Sequence, residues 1–121
     1  MKIATFNINN INKRLPNLLR WLKQSRPDGV CLQELKCETE SFPELEVQEA
    51  GYGAVWEGQR SWTGVAILSK RSTPIVTRRR LPGDPSDHQA RYIEAAVDGL
   101  LIACLYLPNG NPQPGPKFEY K

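Results

Sequence analysis

Asn7 and Glu34 are the residues whose types and places point most directly to chemistry. Each closes a short apolar run, Ile3 to Phe6 and Gly29 to Gln33, and each run reads as a strand. A carboxylate and an amide oxygen are hard donors suited to Mg²⁺, with Mn²⁺ as the alternative. At adjacent strand ends the two could share one ion. The competing reading makes Glu34 a solvated strand end and Asn7 a turn former. Tyr106 ends another apolar run, just before Leu107-Pro108-Asn109-Gly110. A phenol there could reach a phosphate oxygen or support a leaving group; alternatively it anchors the core edge. Arg91 could clamp a phosphate or position a carboxylate. Lys36, two residues past Glu34, could contact a phosphate. His88, the one histidine, lies among polar turn residues, where an idle exposed ring is expected.

The elements that must position these groups follow from periodicity. Between the first two strands, Leu15, Leu18, Leu19 and Leu22 recur on one helical face. Asn12 is the expected N-cap, and Pro16 falls in the tolerant first turn. Ser25 to Gly29 stops the helix. Strand, helix and strand make a βαβ-like unit, which presents ligand groups at the C-terminal ends of its strands. Beyond it the pattern is mostly strand and turn. Tyr52–Trp56, Gly64–Ser69, Ile75–Arg79, Arg91–Val97 and Leu100–Tyr106 read as strands, and Asp98-Gly99 marks a tight hairpin. With one convincing long helix against several strands, one sheet face is expected to be poorly covered.

Composition narrows the class. The chain has 121 residues, 40% apolar and 24% charged, which fits one globular domain and not a disordered tail, collagen or coiled coil. A net charge of +3 is too mild to prove a nucleic-acid partner. Charge is uneven, however. Six glutamates and one lysine lie between Glu34 and Glu49, and six cations without an acid between Gly58 and Gly83, Arg60 and Arg80 among them. The basic stretch reads either as a phosphate-facing surface or as a charged strand edge. No apolar run approaches membrane-spanning length, and the N-terminal run breaks at Asn7, so no membrane association and a cytoplasmic location are expected. Three cysteines fit reduced thiols. Cys31 and Cys104 read as buried small hydrophobes, whereas Cys37 lies among charges.

Taken in order, these segments resemble the exonuclease III family of the endonuclease/exonuclease/phosphatase superfamily. Lys2-Ile3-Ala4-Thr5-Phe6-Asn7-Ile8-Asn9 and Leu32-Gln33-Glu34-Leu35-Lys36-Cys37 look like its opening motifs. Trp62-Thr63-Gly64-Val65-Ala66-Ile67-Leu68 resembles its glycine-led central strand. Pro82-Gly83-Asp84, Gln89-Ala90-Arg91-Tyr92-Ile93 and Tyr106-Leu107-Pro108-Asn109-Gly110 resemble the blocks that follow. Leu35 stands where the family usually has Thr.

The resemblance implies an α/β fold of α+β type: the N-terminal half of a four-layer α-β-β-α sandwich with mostly antiparallel sheets. Residues 1–121 would be one portion of a single domain. Glu34 becomes a Mg²⁺ ligand, with Asn7 supporting the metal or the reacting phosphate and Asn9 behind them. Tyr106 becomes the active-site tyrosine, and Lys36 and Arg91 position the backbone or the carboxylates. The implied partner is duplex DNA with abasic sites or 3′ ends, acted on by a monomer when full length. The implied reactions are cleavage 5′ to an abasic site and 3′-to-5′ removal of nucleotides. Family members are roughly twice as long, and their second half supplies Gly-Asp-x-Asn and Ser-Asp-His motifs. Ser86-Asp87-His88 has those letters but precedes the Arg91 strand, so it is not taken as that motif. The chain alone is therefore expected to be inactive and poorly soluble. Alternative readings keep the fold with another phosphate ester as substrate, or keep only weak nucleic-acid binding with a steep salt dependence.

Overall fold

The computed structural model describes residues 1–59, 63–80, 83, 89–108, 115, 116 and 119. It contains β1 (Ile3–Asn7), α1 (Leu15–Ser25), β2 (Gly29–Gln33), a 3₁₀ turn (Thr39–Ser41), α2 (Glu44–Glu49), β3 (Tyr52–Glu57), β4 (Val65–Lys70), β5 (Ile75–Arg78), β6 (Tyr92–Val97) and β7 (Leu100–Leu105). One sheet has the order β1-β2-β4-β3 and the second β5-β6-β7. Only β1 and β2 pair in parallel, in register Ile3↔Gly29 to Asn7↔Gln33; the other named pairs are antiparallel. The parallel pair is what the intervening helix permits.

Helix α1 forms because Leu18 and Leu22 sink into the core while its outer face stays polar. Leucine truncation at such sites costs about 2–5 kcal/mol. The N-cap is Arg14, not Asn12, and no side chain caps the helix. Asn12 instead donates its amide to the Ser41 carbonyl at 3.0 Å, tying the loop to the 3₁₀ turn. Strands β2 and β4 are buried on both faces, which explains their unbroken apolar runs.

Two cores result. Val30, Leu32, Ala66 and Leu68 pack with Leu18 and Leu22 on the helical side. Phe6 meets Trp21 edge-on at 5.2 Å there. Cys31, Val65 and Ile67 pack against Ile93, Ala95, Val97 and Cys104 of the second sheet. The described residues thus form a helical layer and two sheet layers. The far face of the second sheet carries exposed Ile75 (69%) and Leu101 (66%), as the strand-heavy pattern suggests.

All three cysteines are buried free thiols. Cys37 departs from its charged flanks: it bridges to Gln59 and burial pushes its thiol up to about 11. Cys104 donates to the Leu32 carbonyl at 3.3 Å. Its hydrogen bond with Cys31, then burial, raises its thiol far above the ordinary range.

Candidate active site

The site forms where the segments after β1 and β2 run side by side. Main-chain bonds link Ile8 N–H to the Gln33 carbonyl (3.0 Å), Asn10 to Glu34 (2.9 Å) and Ile11 to Leu35 (3.0 Å). Alternate residues then separate. Ile8 and Leu35 sink into the core. Between them stand two polar rungs. Asn7 donates its amide to a Glu34 carboxylate oxygen, and Lys36 donates to Asn9 Oδ1. Glu34 (φ 54°), Lys36 (φ 52°) and Asn9 (φ 49°) all take left-handed backbone. Non-glycine residues held that way cost energy and tend to cluster at functional sites.

The orientation of the Asn7 amide follows from its two neighbours. Its Oδ1 accepts the Asn9 main-chain N–H at 3.0 Å, so its nitrogen must face the acceptor carboxylate of Glu34. Asn7 therefore steers Glu34, whatever else its oxygen contacts.

The second sheet brings up the remaining groups. Tyr106 N–H donates to the Arg91 carbonyl at 2.9 Å, which makes the two cross-strand neighbours just beyond β7 and before β6. Burial, and then the nearby charge of Glu34, raises the Tyr106 phenol above its ordinary value. Tyr106 and Glu34 thus face one electrostatic environment although 72 positions separate them in the chain.

Gly64 joins these blocks. Its N–H donates to the Ala90 carbonyl (2.8 Å), and its own carbonyl accepts from Leu35 (3.1 Å). At φ +113°, with a Cβ that would lie 2.8 Å from the Leu35 Cβ, the position demands glycine. Gln59 is a residue that sequence reasoning misses. Its Oε1 accepts from Ala90 N–H at 2.8 Å and from the Thr63 hydroxyl. Nothing in local spacing marks it, because its bond to Ala90 joins segments 31 positions apart.

Sequence-derived candidates Asn7, Asn9, Glu34 and Lys36 thus come together, with Tyr106 and Arg91 paired at the adjoining ends of β7 and β6. Trp62, Pro82, Asp84, Asp87, His88, Asn109, Gly110 and Arg60 lie outside the described residues. Within the basic stretch, Arg79 pairs with Glu57 at 3.2 Å and Lys70 with Asp28 at 3.5 Å, so part of it is internally neutralised.

Among the described residues no cluster of three His, Cys, Asp or Glu could form a metal cage. The Glu34 carboxylate is a hard donor that suits an ion keeping most of its waters, as Mg²⁺ does, and does not suit zinc; the Asn7 and Asn9 amide oxygens already accept from Asn9 N–H and Lys36. No helix among the described residues is long and apolar enough to cross a membrane.

The two sheets carry this polar cluster at one end. Residues 4–119 match the Endonuclease/Exonuclease/phosphatase family, and the chain belongs to it. It is 38% identical over 114 residues to exodeoxyribonuclease III of Haemophilus influenzae, covering 91% of this chain and 42% of that protein. It superposes with a TM-score of 0.93 and 43% identity on the 3′ phosphatase NExo from Neisseria bound to a product DNA hairpin, covering 99% of this chain and 46% of that one. An AP endonuclease from Archaeoglobus fulgidus gives 0.91 and 38%, with the same coverage. The chain therefore spans about half the length of the relatives it matches.

Proposed function

We propose that this chain is the metal-binding portion of a Mg²⁺-dependent DNA-repair nuclease. Its substrates would be duplex DNA with abasic sites or 3′ ends, cut 5′ to the abasic site or trimmed from the 3′ end. The observation that carries this reading is the Asn7–Glu34 rung within electrostatic reach of Tyr106. The likeness to an exodeoxyribonuclease and an AP endonuclease adds weight. The whole protein would act as a cytoplasmic monomer.

Each residue has a physical task. Glu34 would hold the ion, and Asn7 fixes the carboxylate so that little reorganisation is needed on binding. When bound, the ion would neutralise charge that builds on the phosphate during attack by water. The Tyr106 phenol keeps its proton at neutral pH and can donate it to a phosphate oxygen. Lys36, held by Asn9, and Arg91, beside Tyr106, supply positive charge where a phosphodiester would lie. The activating base and the histidine implied by the family would come from beyond these residues.

A second reading keeps the same site and changes the bond. The likeness to the Neisseria 3′ phosphatase favours removal of a phosphate from a DNA 3′ end.

Mn²⁺ titration followed by NMR tests the metal site in this chain. Paramagnetic broadening should centre on Asn7, Asn9, Glu34 and Lys36. Asn7→Ala should weaken binding about tenfold, as loss of a partner that orients a ligand does. Glu34→Gln should abolish the broadening, and equal broadening in that variant would refute the assignment.

A further inference from the structure

At the end of the first sheet opposite Asn7 and Glu34, a cavity of about 560 Å³ opens between α1, α2 and the start of β3. Half-buried Leu19 and Ala50 and buried Leu22 and Tyr52 give it an apolar floor. Its rim carries Lys23, Arg26, Lys70 and Arg71 against Glu46 and Glu49. Lys70 is already committed to Asp28 at 3.5 Å. Among the described residues no carboxylate forms an ion pair with Lys23, Arg26 or Arg71.

The backbone supplies a separate argument. Arg26 caps α1 in the left-handed conformation, at φ 46° and ψ 53°. Arg71 follows β4 at φ 71°. Glycine or asparagine is the low-cost residue at such positions. Both nevertheless carry arginine, and both arginines border the same cavity. Each is pinned by its main chain: Arg26 N–H to the Leu22 carbonyl at 3.0 Å, Arg71 N–H to the Gly51 carbonyl at 3.0 Å. Strained backbone that keeps a costly side chain points to a role for that side chain.

We propose that this cavity binds a small phosphate ester with a compact apolar body. The phosphate would sit between Arg26 and Arg71, with Lys23 alongside, and the apolar part would lie on Leu19, Leu22 and Ala50. The glutamates at the α2 edge confine the anion to the arginine side. Arginine is the cation best matched to phosphate oxygens. The site is remote from the candidate active site, so the proposal does not depend on the nuclease reading.

The test uses phenylphosphonate, which a phosphatase cannot hydrolyse, and inorganic phosphate, each titrated by calorimetry and NMR. Phenylphosphonate should bind saturably, perturb Leu22, Arg26, Ala50 and Arg71, and bind tighter than phosphate because the ring covers the apolar floor. The double variant Arg26→Gly/Arg71→Gly should weaken it at least about tenfold, with Tm unchanged or raised, since glycine relieves both backbones. Arg26→Asn/Arg71→Asn should do the same. Tyr106→Phe, at the candidate active site, should leave this binding intact. Undiminished affinity in both double variants would overturn the proposal. So would shifts confined to the Glu34 end, or no saturation with the parent chain.

Discussion

At the residue scale, the site rests on contacts between groups of modest individual strength. Asn7 is tied to two partners, one of them a carboxylate, and so cannot rotate without losing both. Tyr106 reports on the same geometry through its proton. Burial is the larger cause of its raised value, and the Glu34 charge the smaller. Glu34→Gln should therefore lower the Tyr106 value without returning it to that of an open phenol, as read by NMR titration of labelled tyrosine. No change would place Glu34 out of reach of Tyr106. Much of this pairing is legible in the amino-acid sequence. Asn7 and Glu34 are hard donors at strand ends, and strand ends are visible in apolar runs. The Asn9–Lys36 rung is not legible: the resemblance names both residues without pairing them, and spacing alone does not align those segments. Gln59 is not legible at all, because its partners lie 4 and 31 positions away in different blocks.

At the element scale, short local signals carry well. The β1-α1-β2 unit and the Asp98-Gly99 hairpin follow from periodicity and turn chemistry, and the hairpin shows positive φ at both turn residues. Helix α2 leaves no such signal, because six residues with one buried side chain, Val47, make no apolar stripe. The order β1-β2-β4-β3 is equally hidden, since pairing of β2 with β4 skips an intervening strand. Gly64→Ala should destabilise the fold by about 1–3 kcal/mol, read from denaturant unfolding, because it forces a side chain into a forbidden backbone region and against Leu35. A neutral result would mean that the 63–64 crossing is not a fixed joint. Asp28, just before β2, accepts the Lys2 main-chain N–H at 2.6 Å, which lowers its carboxyl, with Lys70 adding to the effect. A lowered folded value gives stability that is present above the unfolded value, about pH 4, and is lost as pH falls through the folded one. Asp28→Asn should remove that acid limb and leave a flatter curve of Tm against pH. An unchanged limb would assign it to other carboxylates.

At the scale of the whole molecule, three layers stand in the described residues, and Ile75, Leu101 and Leu105 leave the outer sheet face apolar and exposed. Such a face favours association with another surface. The relatives are roughly twice as long, with this chain covering 42% of one and 46% of two others. In the proposed nuclease, the polar cluster at the sheet end would be one part of a catalytic centre that groups outside these residues would complete. The most direct test joins residues 1–121 to the remaining C-terminal portion of the Haemophilus influenzae exodeoxyribonuclease III and assays incision of an abasic duplex. The expected result is Mg²⁺-dependent cleavage 5′ to the abasic site, falling by at least about a hundredfold in Glu34→Gln, a drop expected when an electrostatic anchor of the transition state is lost. Cleavage that proceeds equally well with Glu34→Gln, or a folded chimera that leaves the abasic strand intact, would contradict the proposed role of this cluster.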